Sequence, residues 1–203
     1  MNVSIRLEAA EDYRAVEELT REAFWDIYRP GCCEHLIVHK LRETPAFVRE
    51  LSYLACNDES IIGSIIYSRA KVVNEENKEF EVLCMGPLSV LPSLQGKGIG
   101  SLLMNYSIAK AREFGFKAVI IFGNPKYYQR FGFRNAEQHG ITTSSGENFD
   151  AFMALELFKG ALTEITGKYY EDKVFEINDE ELEVFEREFP YKEKHIRDSQ
   201  LKL

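Results

Sequence analysis

Residues 91–103 read LPSLQGKGIGSLL: three glycines (Gly96, Gly98, Gly100), a lysine and a glutamine between two apolar runs. A glycine inside a helix or strand costs roughly 0.5–1 kcal/mol against alanine. Three on alternate positions therefore mark backbone that must come close to something. Downstream, Ile99, Leu102, Leu103 and Tyr106 fall at i, i+3, i+4 and i+7, which predicts a helix that Gly115 is placed to stop. Upstream, EFEVLCMGPLSVL reads as a strand. A strand that passes through glycines into a helix N-terminus turns several unpaired N–H groups towards one point. The helix dipole adds roughly half a positive charge there. Such a loop suits phosphate or pyrophosphate, because a Cβ would hold the anion off the amides. A P-loop needs GxxxxGK[ST], which this stretch lacks. A dinucleotide fingerprint needs GxGxxG beside the first strand of a parallel sheet, and here the third glycine comes one residue early.

The flanking elements fill out a mixed α/β architecture. Val3, Ile5 and Leu7 alternate as in a half-buried strand, and AAEDYRAVEELTREAFW carries Tyr13, Val16, Leu19, Ala23 and Phe24 on a helical stripe. A second short helix is expected through EHLIVHKLRE. LSYLACN and SIIGSIIYSRAKVV are strand-like, with hairpin turns at Asn57-Asp58 and at 74–78. KAVIIFG is a short apolar strand suited to burial on both faces, PKYYQRF opens one or two helical turns with a proline, and FDAFMALELF gives further strand. A hairpin meander feeding one βαβ crossover implies a mixed sheet with helices on both faces.

Composition narrows the function classes. The 203 residues suffice for one well-packed domain, and a net charge of −8 argues against nucleic acid as the main partner. No apolar run is long enough for a membrane span, and the N-terminus lacks the pattern of a secretory signal, so a cytoplasmic location is expected. The four cysteines (Cys32, Cys33, Cys56, Cys84) have neither disulfide nor zinc spacing and read as free thiols. His35 and His39 stand i, i+4 but have no third ligand in view, so packing or solvation is expected and no metal.

Gln95-Gly96-Lys97-Gly98-Ile99-Gly100 resembles the Q/R-x-x-G-x-G/A signature of the GNAT superfamily of acetyl-CoA-dependent N-acetyltransferases. Tyr128-Gln129-Arg130-Phe131-Gly132-Phe133 resembles its Y-x-x-x-G-F segment, and GNPKYYQRFGF is similar to the branch labelled YhbS-like. The resemblance covers about residues 2–158. It implies an acetyltransferase domain over 1–159, with a splayed central sheet flanked by helices; from about Gly160 the composition shifts to acids and aromatics, which reads as an extension over 160–203. The extension is expected to pack on its own domain or on a partner subunit, as in a homodimer.

The same resemblance assigns roles. A bulge at Gly86-Pro87 would open a slot for the pantetheine arm of acetyl-CoA. The Leu88 amide would meet the thioester carbonyl, Val90 would pair with pantetheine amides, and the amides from Gln95 through Gly96, Lys97, Gly98, Ile99, Gly100 to Ser101 would take the pyrophosphate. Asn124 is either a helix cap or a coenzyme contact. Tyr128 is the candidate general acid for direct transfer to a primary amine of a small molecule or protein, with Tyr127 next in line. The base is open. Some members carry a glutamate on the fourth strand where this chain has Cys84, and Glu81 should point to the opposite face. Glu22, Asp26, Glu34, His35 and Glu43 lie in the helical region that usually walls the acceptor site. The rival expectation is a non-catalytic acyl-CoA-binding regulatory module. Leu182, Phe185 and Phe189 form an apolar stripe that should dock the end of the extension.

Overall fold

A computed structural model describes residues 2–198 and Gln200. The chain runs β1 (Val3–Leu7), α1 (Tyr13–Phe24), α2 (Glu34–Leu41), β2 (Tyr53–Asn57), β3 (Ser60–Val73), β4 (Glu79–Val90), α3 (Ile99–Glu113) and β5 (Ala118–Phe122). There follow α4 (Pro125–Tyr128), β6 (Arg134–Asn135), β7 (Ile141–Thr142), β8 (Phe152–Glu156), β9 (Gly167–Tyr170) and α5 (Asp179–Glu186). The sheet order is β1-β2-β3-β4-β5-β8-β6, and β9 pairs with both β3 and β7. β1 to β4 form an antiparallel meander, whereas β4 and β5 are parallel because α3 carries the chain across between them.

Helices cover both faces. Tyr67, Leu83, Val119 and Met153 point to the α3 side, where they meet Ile99, Leu103, Met104 and Ile108. The buried stripe of α3 is therefore Ile99, Leu103, Met104, Ser107, Ile108 and Ala111, rather than the one read through Leu102 and Tyr106. Leu102 and Tyr106 lie on the solvent flank, and Tyr106 packs edge-on against Tyr53. The opposite face carries Leu54, Cys56 and Ile66 under Val16, Val38 and Leu41 of α1 and α2. Arg42 ties these two helices to the meander: it bonds Glu8 at 2.5 Å and Glu17 at 3.0 Å, and Ser52 donates to Glu8.

The segment beyond residue 160 enters the same architecture. β9 lies antiparallel to the end of β3, pairing Val72 with Tyr169, and Tyr169 is buried beside Val82, Cys84, Ile120 and Phe152. Close approach requires Gly167 to have no side chain: its φ is +128°, and a Cβ there would lie 2.2 Å from the Val73 carbonyl oxygen. Asn178 caps α5 by accepting from the Glu180 and Glu181 amides. α5 lays Leu182 and Phe185, with Phe189 just beyond it, against Leu36 of α2. Arg21 bonds Glu186 and the Pro190 carbonyl, and Trp25 donates to the Glu193 carbonyl at 2.9 Å.

His35 is sealed under this segment. Its ring packs 5.3 Å from Phe185 and 5.1 Å from Phe189, with Cys32 Sγ 3.4 Å from Nδ1 and Glu186 3.0 Å from Nε2. Burial pushes its pKa down to about 4, and Arg21 and Arg14 act in the same direction against the opposing pull of Glu186. Between pH 6.5 and about 4 the unfolded chain thus holds the proton that the folded chain refuses. Stability contributed by neutral His35 is full above pH 6.5 and lost as pH falls through that window, at up to about 1.4 kcal/mol per pH unit. Denaturant titrations at a series of pH values should show this slope, and His35→Gln should flatten it.

Candidate active site

The site is built where β4 parts from β5. The two strands pair only at Leu83 with Val119 and Cys84 with Ile120. Beyond Cys84, β4 meets a register shift: Tyr67 faces Met85 and Ile65 faces Leu88, so Ile66 alone opposes Gly86 and Pro87. This is a bulge on β4, and proline fits it because it has no amide to donate. A Cβ on Gly86 would come 2.9 Å from Ile66 Cγ2, so the bulge also depends on the glycine.

Past the bulge, strand alternation fixes where the backbone points. Leu91 donates to the Ile62 carbonyl of β3 at 3.1 Å, so Ser89 shares that side. Leu88 and Val90 then turn their polar groups away from β3, into the gap on the β5 side. The Val90 carbonyl accepts from Gln95 Nε2 at 3.2 Å, which closes the start of the glycine loop onto the strand.

Gly96 and Gly98 sit at φ +75° and +88°, and no protein atom lies within 4 Å of a Cβ built on either. Gly98 is the N-cap of α3, so no side chain caps this 15-residue helix. Leu102 is the first of its amides to reach a helical carbonyl, at Gly98 (3.0 Å). The amides of Ile99, Gly100 and Ser101 therefore point outwards at the positive end of the helix dipole. Lys97 curls back to the Ser93 carbonyl. A Cβ on Gly100 would lie 2.7 Å from Tyr127 Oη, 3.7 Å from Val90 and 3.8 Å from Leu88. Helix start, strand edge and Tyr127 thus converge within one side chain's reach.

Tyr128 lies deeper. Its ring packs on Phe133 (5.7 Å) and edge-on to Tyr127 (4.9 Å), directly over the backbone of Gly123. Burial pushes its phenol well above the usual tyrosine range, and Tyr28, Tyr127 and Tyr67 push the same way. Tyr127 is raised by burial too, with Ser101 and Arg130 opposing. Asn124 is a helix cap: its Oδ1 accepts from the Lys126 amide at 3.0 Å.

The acidic and histidine candidates of the early helices divide sharply. Glu22 pairs with Lys192 on the surface. Asp26, φ +58°, is buried and accepts from the Gly31 amide, the His195 amide and His195 Nδ1. His35 is enclosed by α5, and Glu43 is exposed just past α2, in a cavity shared with Lys173 and α5. Glu34 is half-buried and accepts from the Cys33 amide at 3.0 Å: burial raises its carboxyl, and its charge in turn raises Tyr28. Glu81 pairs with Arg69 in solvent. Cys84 Sγ, held as a thiol by burial, donates towards Glu171 Oε2 at 3.7 Å. The sequence reading gave Glu171 and Tyr169 no place in the site, since nothing local marks residues 85 and 87 positions away as neighbours of Cys84. No group of three or more metal-ligating side chains occurs among the described residues, and no helix there is long and apolar enough to cross a membrane.

Comparison with known proteins gives concordant findings. Residues 15–133 match the Acetyltransferase (GNAT) family. An uncharacterised N-acetyltransferase of Escherichia coli (strain K12), YhbS, is 31% identical over 170 residues, spanning 82% of this chain and 96% of that one. The crystal structure of YhbS from Escherichia coli in complex with CoA superposes with a TM-score of 0.78 at 28% identity, covering 87% of this chain and 93% of that one. A GNAT family acetyltransferase from Brucella melitensis in complex with acetyl-CoA gives 0.69 at 27% identity, covering 86% and 98%.

Gly123 gives a direct test of the Tyr128 pocket. A Cβ at this position would lie 2.3 Å from Tyr128 Cε2, so Gly123→Ala must swing a packed ring. A loss of roughly 1–3 kcal/mol is expected, read by denaturant unfolding, together with displaced Tyr128 ring resonances in NMR spectra.

Proposed function

This chain belongs to the GNAT acetyltransferase family, and we propose that it moves the acetyl group of acetyl-CoA directly onto a primary amine of a small molecule or protein, with Tyr128 as general acid. One observation carries the reading: the uncapped start of α3 and the unpaired edge of β4 past its bulge face the same gap. The relatives with CoA and acetyl-CoA bound support extending that ligand to this chain.

The residues present suit the coenzyme. Amides from Gln95 to Ser101 would bind the pyrophosphate, with Gly96 and Gly98 leaving room at the loop. The Leu88 and Val90 backbone would hold the pantetheine arm as a neighbouring strand would, and the Leu88 amide would polarise the thioester carbonyl. Bound acetyl-CoA supplies an activated acyl carbon and a thiol leaving group. Tyr128, kept protonated by its surroundings, would deliver the proton that the departing sulfur needs. Asn124, committed to its cap, would hold the α4 turn that presents both tyrosines.

The rival reading, a regulatory module that binds acyl-CoA without turnover, draws on the commitment of Asp26 and His35 to the C-terminal segment. Thiol release from acetyl-CoA, assayed against polyamines, aminoglycosides, amino acids and peptides, decides between them. Turnover with any acceptor supports the enzyme; coenzyme binding with no turnover across the panel supports the module.

Two substitutions test the assignments. Gly98→Val should abolish the thermal stabilisation conferred by CoA, because its φ of +88° and its new side chain both oppose anion binding at the amides. Unchanged CoA affinity in a folded variant would overturn the site. Tyr128→Phe should leave CoA affinity intact and slow transfer by roughly 10²–10⁴-fold, whereas Tyr127→Phe should act mainly on the Michaelis constant for acetyl-CoA.

A further inference from the structure

The acetyltransferase reading leaves one proton without a destination. Primary amines are ammonium ions at neutral pH, and the nitrogen needs a free lone pair before it can attack. Of the acidic and histidine candidates in the early helices, Glu22, Asp26 and His35 are engaged by the C-terminal segment, Glu43 is exposed beyond α2, and Glu34 accepts from the Cys33 amide.

A different carboxylate stands at the root of the gap. Cys84 is the last β4 residue to pair with β5, and its side chain lies on the sheet face that also carries Ile120 and Phe152. Glu171, just after β9, brings Oε2 to 3.7 Å from Cys84 Sγ and 3.4 Å from Tyr169 Oη. Tyr169 in turn stands 6.2 Å from the ring of Phe122, the last residue of β5 before Gly123 and the tyrosine turn. Phe122 and Phe149 stack at 5.9 Å with 47% and 46% of their surfaces exposed, so an aromatic wall leads from solvent to this carboxylate. The register pairings of β9 with β3 fix Glu171 against the sheet independently of α5.

We propose that Glu171, supplied by the C-terminal segment, is the general base that takes the proton from the acceptor ammonium. This rests on the acetyltransferase reading of the same site. Glu171 removes one N–H proton and becomes a carboxylic acid. The freed nitrogen forms the C–N bond to the thioester carbon as the C–S bond breaks. Sulfur gains the Tyr128 proton, and Tyr128 regains one from the nitrogen as the amide forms. Glu171 then releases its proton to solvent, so one proton leaves per turnover.

The surroundings suit the role. Desolvation raises the Glu171 carboxyl above the ordinary carboxylate range, the hydrogen bonds from Cys84 and Tyr169 oppose that rise, and Glu176 adds to it. Cys84 and Tyr169 are themselves raised and remain neutral donors, so no cation competes for the carboxylate. The aromatic wall favours an ammonium carried on an apolar or aromatic body.

The test uses the full chain with acetyl-CoA and 2-phenylethylamine, alongside the amine panel. With any amine that turns over, kcat/KM of the native enzyme should rise with pH through the Glu171 ionisation and then level. Glu171→Gln should remove that limb and lower the rate at pH 7 by roughly 10²–10⁴-fold, with much of the loss recovered near pH 10 as the free amine forms. Melting temperature and CoA affinity should stay close to native. Returning a carboxylate from β4, in the double variant Glu171→Gln with Cys84→Glu, should restore at least part of the neutral-pH rate. A Glu171→Gln enzyme with the native rate and pH profile overturns the proposal, as does a loss equal at every pH. Native enzyme that releases no thiol with any amine overturns the acetyltransferase reading itself, and this inference with it.

Discussion

One extra residue in β4 governs the rest of the molecule. Gly86 and Pro87 share a single partner, Ile66, and beyond that point β4 and β5 no longer pair. The cost is a run of strand amides and carbonyls left without ladder partners, each of which would lose about 1–3 kcal/mol if buried unsatisfied. A fold tolerates such an edge when it is solvated or when a ligand's amides complete it. Glycine at 86 and proline at 87 make the opening obligatory, one by yielding space to Ile66 and the other by removing a donor. The glycine loop, α3 and the tyrosine turn are all disposed around that gap.

The C-terminal segment is bound to the α1–α2 side by an unusual density of polar links. Arg21 serves Glu186 and Pro190, Asp26 serves His195, and Trp25 serves Glu193. A buried ion pair such as Arg21–Glu186 adds little net stability beyond what apolar residues would give, but breaking it leaves an uncompensated charge and costs several kcal/mol. They fix position more than they add strength. Their consequence is that Asp26 and His35, which look available for chemistry, are withdrawn into structure, while β9 and the residue after it bring Tyr169 and Glu171 beside Cys84.

This exchange separates two kinds of carboxylate. Asp26, ringed by donors, is held below the ordinary range, its bonds to Gly31 and His195 outweighing its burial. Glu34 and Glu171, for which desolvation outweighs the hydrogen bonds they accept, are raised. A depressed carboxylate is a poor proton acceptor and a good anchor; a raised one is the reverse. The same physical quantity therefore sorts anchor from candidate base.

The sequence alone determined whatever depends on neighbours within a few residues. Glycines at 96 and 98, the apolar runs of β2 to β5 and the Asn124-Pro125 helix start each encode backbone geometry locally, and so the order of elements through β5, the bulge and the glycine loop were legible. The stripe on α3 was read one flank off, since Leu102 and Tyr106 satisfy the helical period without facing the sheet. Only the tertiary structure decided which acids remain available and that Glu171 meets Cys84, 87 positions earlier in the chain. Pairing of β9 with β3 rests on a glycine whose missing Cβ lets two backbones touch, and on burial of Tyr169 in a core assembled from five other strands and the turns at Ala136 and Leu162. Such contacts carry no periodic signature, because their energy lies in register and shape between distant segments rather than in any one of them.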